Sequence, residues 1–199
     1  NSGSSNEIPH AGVFGDGTAV VGWVVNSSYN EVQIASFDGT AFTDQETISN
    51  TSETGNVMNN PQNWYLSVSD SGYAAAAWNL DTVETDYFVI RGAYYDRTSW
   101  SADEVLSTDT YGHISCVPSI DVNESGIAVI AFTSINPMGY YLPAVSVRNG
   151  SSWAYHGAIS SISASAYFAE AAINGNREII LAWLQNNNNN SKVLCSEYY

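Results

Sequence analysis

Positive charge is what this chain has least of. It carries one lysine (Lys192) and four arginines (Arg91, Arg97, Arg148 and Arg177) against 20 acidic residues, a formal net charge of −15. Nucleic-acid binding rests on Lys and Arg neutralising phosphates, and five scattered cations provide no basic stripe. An anionic membrane surface repels such a chain. The acidity fits a cationic partner, bound cations, or solubility in a salty medium. Charge of either sign is sparse, at 13% of residues, about half the usual share. Asn, Ser, Thr and Tyr fill the gap, a composition suited to an extracellular surface.

Long apolar runs are missing too: nothing reaches the roughly 18 residues needed to cross a bilayer. Cysteine is limited to Cys116 and Cys195. One disulfide and two buried thiols both stay open, because sequence gives no distance between them. No Cys/His set has zinc-ligand spacing. Asp16, Asp38, Asp70 and Asp121 are the residues that would point to calcium. Asp beside Gly or Ser is ordinary turn chemistry, however, and the alternating acids of an EF-hand are absent. No cofactor is expected, and calcium is the one candidate the acidity admits. The first residue is not Met, and the polar start Asn1–Asn6 reads as a mature end left after processing, as a linker, or as a closing strand.

What is present is repetition. A small-and-apolar run ending in an aromatic occurs four times: Ala19–Trp23, Ala74–Trp78, Ala128–Phe132 and Ile179–Trp183. The closing aromatics stand 55, 54 and 51 residues apart. Gly17, Gly72 and Gly126 each lie six residues before their aromatic, and Gly175 and Asn176 occupy this region of the fourth copy. A second anchor, a turn followed by an aromatic, occurs at Phe37–Phe42, Tyr95–Trp100 and Val147–Trp153. The alanines of 74–77 favour helix in isolation. Val, Ile and Leu hold the same columns in the other copies, which suits strands. Small residues there fit strands at which neighbouring sheets converge.

The copies span about 7–49, 64–107, 115–160 and 167–199, within one domain of residues 1–199. Four-stranded units at this period are the arithmetic of a β-propeller. The expected fold is all-β: four blades of about 50 residues, the last lacking its fourth strand. The pattern Ser119-Ile120-Asp121 … Gly126–Phe132, followed by Asn149-Gly150-Ser151-Ser152-Trp153, resembles bacterial or archaeal extracellular propellers. Asp96–Trp100 resembles the Asp-box turn of sialidase-type propellers, with Arg97 where Gly is favoured and without the preceding Ser. That resemblance implies a carboxylate site of three convergent arginines, a Tyr nucleophile with a Glu partner, and an Asp acid/base. The arginines here fall at turns and strand starts on the outer parts of blades, so no catalytic set is assigned. The carboxylates of Asp81, Glu84 and Asp86 share one acidic loop, which reads as solvated.

A three-stranded last blade exposes an edge. The N-terminal residues 1–8 pairing with 192–199, further blades in a longer protein, or strand addition from a neighbouring molecule would each fill it. First strands line a propeller's channel, so residues near their starts form the candidate binding ring: His10, Trp64, His113 and Tyr167. Asn-x-Ser/Thr sequons at Asn26, Asn50, Asn123, Asn149 and Asn189 permit glycosylation in a secreted chain. Asn, Ser and Thr are abundant enough to supply nearly that many by chance. The second-to-third-strand loops are expected at Asn26–Asn30, Asn79–Asp86, Thr133–Tyr140 and Gln185–Ser191. The functional expectation is a secreted or cell-surface binding, adhesion or assembly module. A carbohydrate-binding lectin, a sialidase-like glycosidase and a subunit of an extracellular polymer joined by strand addition are the alternatives. Protein or glycan ligands are the expected partners, without nucleic acid or membrane insertion.

Overall fold

The structure, a computed structural model, describes residues 5–26, 31–49, 55–57, 64–82, 87–107, 118–160, 165–187 and 190–198. The described residues contain no helix, and so none that crosses a membrane. Blade 1 comprises β1 (Ser5–Val13), β2 (Ala19–Asn26), β3 (Glu31–Phe37) and β4 (Glu46–Thr47). Blade 2 comprises β5 (Gly55–Val57), β6 (Trp64–Val68), β7 (Ala74–Thr82), β8 (Tyr87–Tyr95) and β9 (Glu104–Val105). Blade 3 comprises β10 (Ser119–Val122), β11 (Ala128–Ile135), β12 (Tyr141–Arg148) and β13 (Trp153–Ala158). Blade 4 has three strands, β14 (Ala166–Ile173), β15 (Ile179–Asn187) and β16 (Asn190–Tyr198). Each blade is an antiparallel meander. In blade 2, β5 and β6 lie end to end along one edge of β7, two pieces of a single inner strand.

Two expectations are corrected by the pairing. Ser5, Asn6 and Glu7 pair with Asn26, Val25 and Val24 inside blade 1. From Ser5 onward the N-terminal segment is therefore the start of an inner strand, and it does not add to β16 or act as a linker; residues 1–4 lie outside the described residues. The loops also begin later than composition implied. Asn79 to Thr82 continue β7 and pair with Ile90 to Tyr87. Residues 133–135 continue β11, and 185–187 continue β15. Composition misleads there because Asn79 and Thr133 are buried polar residues within the strands.

Successive strand residues face opposite sides of a sheet, and each blade here has a neighbour to fill. Ala74, Ala76 and Trp78 join Val20, Val24, Val32 and Ile34 in the core between blades 1 and 2. Ala75 and Ala77 turn the other way, to Val122, Ala128, Ile130 and Phe132 of blade 3. Val129, Ala131 and Val145 meet Ile179, Leu181 and Trp183 of blade 4. All four alanines of 74–77 have no exposed surface; they are small because two sheets converge on one strand. Gly92, opposite Ala77, is tighter still, since a Cβ there would lie 2.7 Å from Leu106 Cδ1 and 2.8 Å from Ala76 O.

The turns explain the repeated glycines. Gly17, Gly72 and Gly126 have φ of +87°, +92° and +77°, a region that favours glycine. In the fourth copy this position is Arg177, at φ +73°. In the second anchor, Gly39, Arg97 and Gly150 all have positive φ. The Asp96 carboxylate accepts hydrogen bonds from Thr98 N and Ser99 N, and Asp38 does the same for Thr40 N and Ala41 N. The aromatic that follows then bridges back to its own third strand, Phe42 to Phe37 and Trp100 to Tyr95.

Candidate functional site at the propeller axis

The inner strands follow one another around an axis: β1 packs beside β6, β6 beside β10, and β10 beside β14. Register fixes which residues share a level. Thirteen residues before Trp23, Trp78, Phe132 and Trp183 lie His10, Tyr65, Ser119 and Glu170. They pair with Gly22, Ala77, Ala131 and Ala182, one column of the repeat. These four residues form a ring of equivalent positions. His10, Tyr65 and Ser119 are half-buried and Glu170 is exposed. His10 and Ser119 each reach the next blade. The His10 ring lies 4.6 Å from Trp64 and 5.4 Å from Tyr65. Ser119 Oγ accepts a hydrogen bond from Ala171 N at 3.2 Å. Two residues further on, Gly12, Ser67, Asp121 and Ala172 make a second ring that ties blades together. Ser67 Oγ donates to Asp121 Oδ1 (3.1 Å), and Ile173 N donates to Asp121 Oδ2 (2.9 Å).

The expected ring of His10, Trp64, His113 and Tyr167 is therefore revised. His10 lies at the level of Tyr65, Ser119 and Glu170. Trp64 is 1% exposed, a core residue between blades 1 and 2, and its neighbour Tyr65 takes the ring position. Tyr167 packs on Tyr141, with ring centroids 5.2 Å apart, while Glu170 occupies the ring. His113 lies outside the described residues, and blade 3 contributes Ser119. A strand's start does not fix its level; the cross-strand register does.

Bulges lie beside two of the ring positions. In blade 4 the register shifts between Tyr167 and Glu170, and in blade 1 between Glu7 and His10. Trp64 and Tyr65 of blade 2 pair without a shift. Bulges re-aim side chains and recur near functional sites. Phe168, inside the blade 4 bulge, has φ +54° and is 64% exposed. A large side chain held in the left-handed region and turned to solvent marks a functional candidate.

Burial lowers the His10 pKa below its ordinary 6.5, opposed by a smaller effect of a hydrogen bond to the Trp64 backbone. His10 is thus neutral at pH 7. The folded state disfavours its charge, so its contribution to stability is complete above the unfolded value and is lost as pH falls through the folded one. An imidazole NMR titration gives a His10 midpoint below 6.5; a midpoint at or above 6.5 contradicts the burial. Burial also raises the Tyr65 pKa, reinforced by the charge of Glu170. Tyr65 therefore remains a neutral phenol.

None of the five cations joins the ring. Arg91 is buried and bonds Asp103 through its Nε at 2.7 Å. Arg148 lies 3.8 Å over the Tyr94 ring and donates to Gly150 O. Arg97 sits over Tyr73, Arg177 holds a turn, and Lys192 is exposed on β16. The acidic candidates serve turns or blade contacts: Asp16 accepts from Thr18 N, Asp38 from its own turn, and Asp121 from both neighbouring blades. Glu84 and Asp86 lie outside the described residues, and no metal-holding group of three or more His, Cys, Asp or Glu occurs within them.

The sequons divide. Asn123 is 4% exposed, its Nδ2 donates to Asn174 O of blade 4, and its Oδ1 accepts from Ser125 N and Ile127 N. That amide caps a turn and joins two blades, which corrects its reading as a glycosylation site. Asn149 is exposed. The side chain of Asn26, and residues Asn50 and Asn189, lie outside the described residues. Cys195 is an exposed free thiol, and Cys116, its disulfide candidate, is outside the described residues.

No protein-family model and no curated protein matches the chain. Solved structures do. A Hadza microbial sialidase, Hz136, superposes with a TM-score of 0.60 at 13% identity, over 98% of this chain and 44% of that one. A polysaccharide lyase of family PL25, an ulvan lyase bound to -[GlcA(1-4)Rha3S]-, gives 0.61 at 11% identity, over 95% and 52%. A Trypanosoma rangeli sialidase in complex with the inhibitor DANA gives 0.56 at 12%, over 97% and 36%. The chain spans about half the length of these proteins or less. Its fold is that of a sialidase-like β-propeller, with four blades and a short last one.

Proposed function

We propose that this chain is a carbohydrate-binding propeller module of a secreted or cell-surface protein, holding an uncharged glycan at the axial ring without catalysing its cleavage. The observation that carries the reading is the ring itself: His10, Tyr65, Ser119 and Glu170, brought to one level by register from four blades. A sugar offers hydroxyls for an imidazole, a hydroxyl and a carboxylate, and an apolar face for an aromatic ring. Concave sites with a few convergent polar groups on a rigid scaffold are where such ligands sit. The ring positions differ from blade to blade, which favours one axial site over one site per blade. The folds of carbohydrate-active neighbours support the ligand class.

Charge narrows the ligand. With a net charge of −15 and no lysine or arginine in the ring, an anionic sugar meets repulsion and no arginine clamp. Burial holds the Tyr65 phenol neutral, which supports binding over turnover. The second reading, a glycosidase, draws on the proximity of Tyr65 and Glu170, the residue types that the sialidase resemblance pairs. A glycan array combined with chromogenic glycosides separates the two. Binding to neutral glycans without chromophore release is expected. Hydrolysis, or binding confined to sialylated, sulfated or uronic sugars, overturns the proposal.

A further inference from the structure

The cores between blades 1 and 2, 2 and 3, and 3 and 4 are one interface used three times. On the second strand of each blade, alternate residues face the next blade: Val20, Ala75, Val129 and Ile180 are equivalent. The first three are 1%, 0% and 0% exposed, whereas Ile180 is 54% exposed. The intervening residues face the preceding blade. Trp78, Phe132 and Trp183 are buried there, but the equivalent Trp23 is only half-buried. Among the described residues, the chain therefore presents both halves of its own repeated interface with exposed surface. Blade 1 presents Ala19, Val21, Trp23 and Val25. Blade 4 presents Ile180, Ala182, Leu184 and, from β16, Val193 at 77% exposure. Among the described residues, blade 4 makes no contact with blade 1 to match those between the other neighbours.

We propose that two copies of this chain close into one ring about a two-fold axis, blade 4 of each packing on blade 1 of the other. A second copy is the occupant because it supplies both complementary faces, each already matched to its counterpart within the chain. Two such contacts leave neither face open, and heterologous contacts that close by rotation form rings. The ring then has eight blades, within the range that propellers adopt.

Sedimentation equilibrium of the 199-residue chain tests this, with Ile180→Asp and Val193→Asp as variants. Both positions are exposed in the single chain, so both variants retain the native circular dichroism and melting of a monomer. The expected mass is twice the chain's 21.5 kDa for the native sequence, and 21.5 kDa for the variants at the same concentration. Cys195 pairs with Ala182 and shares its face. Peptide mapping after maleimide treatment should find it protected in the native dimer and labelled in both variants. A native chain that stays monomeric, an open series of oligomers, or a dimer unaffected by both substitutions overturns the proposal.

Discussion

Trp78→Ala lowers the unfolding free energy by about 3–5 kcal/mol, the usual cost of emptying a fully buried Trp site. Trp78 has no exposed surface and joins Trp64 and the apolar residues of β2 and β3 in the core between blades 1 and 2. Its neighbours sit on two different sheets with Ala74 and Ala76 between them, so the cavity cannot collapse without moving a blade. Urea denaturation measures the loss. Phe42→Ala is the control, since Phe42 is 60% exposed on a turn and its removal changes stability by about 0.5 kcal/mol or less. Equal losses for the two variants contradict the packing described.

The second large effect belongs to a carboxylate. Asp121→Ala removes the bonds that join β10 to Ser67 of β6 and to Ile173 N of β14. Hydrogen bonds to charged groups contribute about 1.5–3 kcal/mol each, and an abandoned buried N–H adds its own cost. A destabilisation of about 2–4 kcal/mol is expected. Amide exchange makes the test specific: Ile173 N–H loses its protection in the variant while the strand interior of β7 keeps its own. If Ile173 exchanges as in the native chain, Asp121 does not tie the blades together.

The sequence made the repeat legible because its anchors are constrained twice. Trp78, Phe132 and Trp183 fill the same gap between sheets, and Gly17, Gly72 and Gly126 occupy the same left-handed turn. Those two demands survive in composition. The ring was harder to read, because it depends on register. Trp64 and Tyr65 are adjacent aromatics, and only pairing decides that Trp64 enters the core and Tyr65 the axis. The bulge at Phe168 shifts the level in blade 4 and leaves no signature in residue type. A constant distance from the closing aromatics was the available signal. It reaches one equivalent column in all four blades, whereas counting from strand starts mixes columns. The role of Asn123 was equally hidden, since a sequon and a turn cap are spelled with the same residue.

The axial site is tested most directly by isothermal titration of the neutral oligosaccharide that gives the strongest array signal. The native chain, Tyr65→Ala and Phe42→Ala are compared under one buffer. Loss of a central aromatic contact commonly costs more than about 1.4 kcal/mol, a tenfold change in affinity. The account predicts that Tyr65→Ala binds at least about tenfold more weakly while Phe42→Ala matches the native chain. Equal affinity for the native chain and Tyr65→Ala would place the ligand elsewhere and contradict the axial site.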